Sequence, residues 1–110
     1  PKVNGIVVSD FFTPSPSDPN FVYPQDLRDS ILSALNGEEY IIDVPGYKRM
    51  DPHKLFNLLL KKIDQDMKIF IELVKNFEWN LAICVLMSID RANHTLWKFF
   101  DKSHPRYVYD

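Results

Sequence analysis

A chain of 110 residues, 45% hydrophobic and 25% charged, has the composition of one folded domain or a piece of one, not of a disordered segment. A net charge of −2, with both signs intermixed along the chain, gives no electrostatic case for binding a nucleic-acid polymer, which favours a basic face. No apolar run reaches the roughly 20 residues of a membrane helix, and nothing resembles a signal peptide. The single cysteine, Cys84, allows no disulfide within the chain and reads as a buried, inert thiol in a reducing compartment, which predicts a cytoplasmic protein. The chain starts at Pro1-Lys2 and stops after Tyr109-Asp110; both ends look cut, which predicts a single α/β unit, 1–110, excised from a longer protein.

Gly5-Ile6-Val7-Val8-Ser9 is short, apolar and β-branched, and predicts a buried strand. It runs into a loop in which Pro14, Pro16 and Pro19 rule out regular hydrogen-bonded structure. Phe11, Phe12, Phe21 and Tyr23 lie in and beside this loop, more aromatic surface than a solvated linker requires. Pro24 and Asp26 suit a helix start. Leu27, Ile31 and Leu35 then form one stripe, and Asn36-Gly37 is a C-terminal stop. Tyr40 to Val44 reads as a second strand closed by Pro45-Gly46.

Asp51-Pro52 is a strong helix start, with Asp51 as N-cap and Pro52 as first helical residue. Phe56, Leu59, Leu60, Ile63, Met67, Phe70, Ile71, Val74 and Phe77 follow at helical spacing. The pattern predicts an amphipathic helix of about 25 residues, some 38 Å long, whose stripe is too broad for a strict coiled-coil seam and suits packing on a sheet. Asn80 to Ile89 is apolar without alternation, the pattern of a central parallel strand buried on both faces. A last helix is predicted from about Ala92 to Asp101, ending before His104-Pro105. Strands alternating with helices predict an α/β fold, with a mainly parallel sheet flanked by helices.

Asp90 ends the apolar run, and His94 follows four residues later. On a helix these two share a face, and a carboxylate oxygen and an imidazole nitrogen are ordinary zinc donors. Spacing alone favours the simpler reading of a helix cap and an incidental histidine, because zinc takes at least three protein ligands. His53 and His104 are the other histidines; the first sits beside the Asp51-Pro52 cap and the second in a C-terminal turn, and neither is assigned as a ligand. The sequence has no glycine-rich phosphate loop and no G-x-S-x-G elbow. Trp97, Phe99, Phe100, Tyr107 and Tyr109 read as core packing.

The stretch M-S-I-D-R-A-N-H-T-L-W-K-F-F-D-K-S-H-P-R-Y, Met87 to Tyr107, resembles the type I phosphodiesterases/nucleotide pyrophosphatases of the alkaline phosphatase superfamily. N-G-I-V-V-S-D-F-F-T-P-S, Asn4 to Ser15, is loosely similar to another segment of the same family. The resemblance implies an internal segment of an alkaline phosphatase-like fold. It implies an enzyme that hydrolyses phosphate esters or nucleotide-like pyrophosphates with two divalent cations, zinc in most members. Asp90 and His94 match the Asp and His that hold one of those ions. Asn93 departs from the glycine that many members carry before the His. The nucleophile and the remaining ligands of the family have no counterpart here, so the resemblance implies an inactive isolated chain with weak or no metal binding. The contrasting expectation is a small non-enzymatic interaction domain that uses the proline-aromatic loop as its contact surface. An incomplete parallel sheet would also leave exposed edges through which copies associate.

Overall fold

A computed structural model describes residues 3–109. The chain is mostly helical. Two short strands, β1 (Val7–Val8) and β2 (Val22–Tyr23), precede helices α1 (Arg28–Ser33), α2 (Pro52–Asn76) and α3 (Met87–Leu96). The strands pair antiparallel, Val7 with Tyr23 and Val8 with Val22, and form a two-stranded sheet. This corrects the predicted α/β architecture: the mainly parallel sheet flanked by helices, and with it the alkaline phosphatase-like fold, is not what the chain adopts.

The proline loop closes β1 onto β2. The Ser9 N–H donates to the Phe21 carbonyl at 2.7 Å, and the Ser9 hydroxyl donates to the Asn20 carbonyl at 3.0 Å. This folds Phe21 inward, where it is fully buried beside Val22, Ile31, Leu35, Tyr40 and Ile69. Leu27, Ile31 and Leu35 face this core as their spacing predicts. The stop after α1 forms as expected, with Asn36 at φ 52° and Gly37 at φ 83°; these left-handed angles suit asparagine and glycine best.

Helix α2 is the spine and spans 25 residues, as predicted. Its first turn is capped by the Asp51 carboxylate, which accepts the Lys54 N–H at 3.0 Å, with Pro52 at the start. Its most buried residues are Leu55, Leu59, Lys62, Gln65, Asp66 and Ile69, whereas Phe56, Leu60, Ile71 and Phe77 are exposed. The buried face is therefore rotated from the purely apolar stripe and carries polar groups at its centre. Leu55 and Leu59 form a second core with Val44 and Leu96, which docks α3.

Two predicted strands are absent. Residues 40–44 form no sheet ladder, and α2 side chains take both backbone groups of Ile41 and the carbonyl of Glu39. Gln65 Oε1 accepts the Ile41 N–H at 2.9 Å, Lys62 Nζ donates to the Ile41 carbonyl at 2.9 Å, and Gln65 Nε2 donates to the Glu39 carbonyl at 2.9 Å. Residues 81–86 likewise form neither strand nor helix. Leu81, Ile83 and Val85 are 77%, 73% and 68% exposed. A continuous apolar run is buried on both faces only where strands flank it, and β1 and β2 pair with each other instead. Cys84, expected to be buried, is exposed. The last helix begins at Met87 rather than near Ala92.

Candidate functional site

The earlier start of α3 places Asp90 in its first turn and His94 in its last. Asp90 is therefore neither a strand terminus nor the helix cap. The Asp90 carboxylate complements the N-terminal end of the helix dipole, and His94 lies in the last turn. The two face each other across one turn, His94 Nε2 lying 3.4 Å from Asp90 Oδ1, with both side chains about half exposed. Asn93 lies within the helix without a left-handed angle, so the departure from glycine costs the local geometry nothing.

The separation bears on ligation. Two donors each about 2.0–2.2 Å from one tetrahedral ion stand about 3.3–3.6 Å apart. Asp90 Oδ1 and His94 Nε2 meet that requirement without rearrangement, and the donor types suit zinc. The pair fits as half a site: among the described residues no group of three or more His, Cys, Asp or Glu side chains is placed to hold a metal ion. His104 sits in the C-terminal turn, where its Nδ1 accepts the Arg106 N–H at 3.0 Å. His53 lies in the first turn of α2.

Arg91, beside the pair, holds α3 in place. Its guanidinium lies 4.5 Å from the Tyr47 ring and 5.3 Å from the Phe11 ring. It also pairs with Asp43 Oδ1 at 3.5 Å and donates to the Tyr47 hydroxyl at 3.3 Å. One aromatic of the proline loop is thus used in packing by Arg91, and Phe21 is used in the core. Phe12 stacks on Phe11, with ring centroids 4.3 Å apart, and is 91% exposed.

The sequence reading missed a buried ionic cluster under β1. Lys62, 3% exposed, has four acceptors within reach: the Ile41 carbonyl at 2.9 Å, Asp10 Oδ1 at 3.1 Å, Asp66 Oδ1 at 3.2 Å and the Tyr40 hydroxyl at 3.3 Å. The Tyr40 hydroxyl donates to Asp66 Oδ1 at 2.6 Å. Burial pushes the Asp10 carboxyl above the usual carboxylate range, outweighing the opposing pull of Lys62. Burial, then the hydrogen bond to Asp66, lifts the Tyr40 phenol far above its ordinary value. An ammonium has three N–H groups, and more acceptors than that surround this one. Lys62 is therefore committed to structure and is not available as a nucleophile or base. The available signal was Lys62 and Asp66 at i,i+4 with Gln65 beside them, set on a helix whose apolar residues do not fill one clean face.

Compared with models of known protein families, with characterised proteins and with solved structures, the chain has no significant match. No helix among the described residues is long and apolar enough to cross a membrane.

Proposed function

We propose that the chain is a segment of a metal-dependent phosphodiesterase or nucleotide pyrophosphatase, in which Asp90 and His94 hold one divalent cation, zinc. The observation that carries this reading is the 3.4 Å separation of Asp90 Oδ1 and His94 Nε2, a spacing that one tetrahedral ion can bridge. The resemblance of Met87 to Tyr107 to that family supports it. Bound there, the ion would stabilise charge on phosphoryl oxygens and leaving group. Asp90 contributes a formal negative charge and His94 a nitrogen lone pair, and α3 holds both at helical spacing. Their exposure leaves the other coordination positions open to donors from elsewhere in a longer protein and to a phosphate ester or nucleotide-like substrate. The second ion and the nucleophile would come from outside this segment, so the isolated chain is expected to be inactive and to bind zinc weakly.

The test is hydrolysis of bis(p-nitrophenyl) phosphate by a longer polypeptide that carries the nucleophile. Asp90→Asn and His94→Gln should each lower turnover by at least about 100-fold, with circular dichroism unchanged. Turnover within threefold of the parent for both variants overturns the proposal.

A second reading, a non-enzymatic contact surface, is favoured by the exposure of Leu81, Ile83 and Val85, since contiguous exposed apolar surface marks interaction sites. The proline loop is a poorer candidate, because Phe21 and Phe11 are used in packing. Contact between copies through residues 81–85 would appear as reversible association in sedimentation equilibrium, abolished by a Leu81→Ser/Ile83→Ser double variant. A monomer at all concentrations refutes this self-contact.

A further inference from the structure

We infer that the groove between the start of α2 and the end of α3 binds a small organic anion with a flat apolar body. The groove measures about 500 Å³, within the range of small-molecule sites. Buried Leu55 and Leu96 provide an apolar floor. Lys48, Lys98 and Arg106 line it with positive charge, and Trp97 offers a half-exposed ring. None of the lining residues is Asp or Glu, although the chain as a whole carries a net charge of −2.

The adjacent carboxylates form no ion pair with these cations. Asp51 accepts the Lys54 N–H, Asp90 faces His94, and Asp101 is held by the Trp97 indole N–H and by Ser103. Among the described residues, Lys48, Lys98 and Arg106 form no ion pair. Lys48 Nζ lies 5.8 Å from the Tyr47 ring and Lys98 Nζ 5.1 Å from the Phe99 ring; with no carboxylate in the lining, these cations and Arg106 can pair with an anion in the concavity. The apolar floor adds affinity only for a ligand with an apolar face, and this selects an organic anion over an inorganic one. His94 also lines the groove, but the inference requires no metal and stands if the phosphodiesterase reading fails.

The test is an NMR titration of the whole chain with naphthalene-1-sulfonate in buffer containing EDTA. Amide shifts should map to residues 47–50, 93–98 and 104–106, and the Trp97 indole signal should move, with a Kd of about 1 mM or tighter. Lys48→Glu and Arg106→Glu should each weaken binding by about tenfold, and Leu81→Ser/Ile83→Ser should leave it unchanged. Several outcomes overturn the inference: no binding, equal binding of neutral naphthalene-1-methanol, equal binding of inorganic sulfate, insensitivity to the charge reversals, or shifts that map to residues 81–85.

Discussion

Replacing Lys62 with methionine should remove a large share of the stability of the chain. The side chain is 3% exposed and is the cation that faces Asp10 and Asp66. Methionine approximates its volume but supplies no charge or donor, so two carboxylates, the Tyr40 hydroxyl and the Ile41 carbonyl lose a partner. Breaking a buried pair from one side costs about 3–5 kcal/mol, mostly as the penalty of the charge left behind. A domain of this size has roughly 5–15 kcal/mol in total, and each kcal/mol moves the melting temperature by about 4–8 °C. Lys62→Met should therefore lower the urea midpoint sharply and Tm by at least about 12 °C, followed by far-UV circular dichroism. The triple variant Lys62→Met/Asp66→Leu/Tyr40→Phe removes two of the partners but leaves Asp10 and the Ile41 carbonyl, and should recover part of the loss. A loss below about 1 kcal/mol in Lys62→Met would mean that water reaches this ammonium, and the buried-cluster reasoning would be refuted.

Asp10 predicts a pH effect of definite sign. Its carboxyl is raised above 3.8, first by burial, so the native chain keeps that proton over a window in which the unfolded chain has lost it. Its contribution to stability is fully present below the unfolded value and is lost as pH rises through the folded one. The stability of the parent minus that of Asp10→Asn should then rise on acidification from pH 7 to pH 4 in urea titrations; a flat difference contradicts it. Cys84 is exposed, so DTNB should label it fully without denaturant. Labelling should be slower than for free cysteine at the same pH, because partial burial and the charges of Asp66 and Asp10 push the thiol upward. Protection from DTNB would restore the buried strand. Gly46 has φ 73° with open space where a Cβ would project, so Gly46→Ala should cost about 1 kcal/mol from backbone strain alone, and a thermal melt identical to the parent's would contradict that.

Local chemistry was legible where it acts through near neighbours in sequence. The Asp51-Pro52 start, the length of α2 and the Asn36-Gly37 stop each depend on a few adjacent residues, and each appears as read. Burial of the apolar runs expected to be strands was not legible, because it depends on what the rest of the chain supplies. Tyr40 to Val44 has strand composition, yet Lys62 and Gln65 on α2 occupy the backbone N–H and carbonyl of Ile41 at its centre. Asn80 to Ile89 has the composition of a buried strand, but no strand among the described residues flanks it, and its end is drawn into α3. The same redistribution moved Asp90 from a strand end to a helix turn, which kept the i,i+4 relation to His94. The candidate pair was read correctly as sharing one face, although the element expected to present Asp90 was wrong.

That pair depends on the packing of the helix that carries it. A ten-residue helix such as α3 is not stable in water by itself, so its packing must hold Asp90 and His94 one turn apart. Arg91 adds to the core contact of Leu96, lying against two aromatic rings and Asp43. Arg91→Met should cost about 2 kcal/mol through lost cation–π and hydrogen-bond contacts. If the helical spacing makes the pair a chelate, this variant should also bind zinc more weakly, by about tenfold, as the helix frays. The readouts are the His94 ring signals in a zinc titration and helicity by circular dichroism, both followed in the parent and in Asp90→Asn. Zinc affinity unchanged in Arg91→Met despite lost helicity would show that the two donors do not need the helix, and the geometric basis of the pair would fail with it.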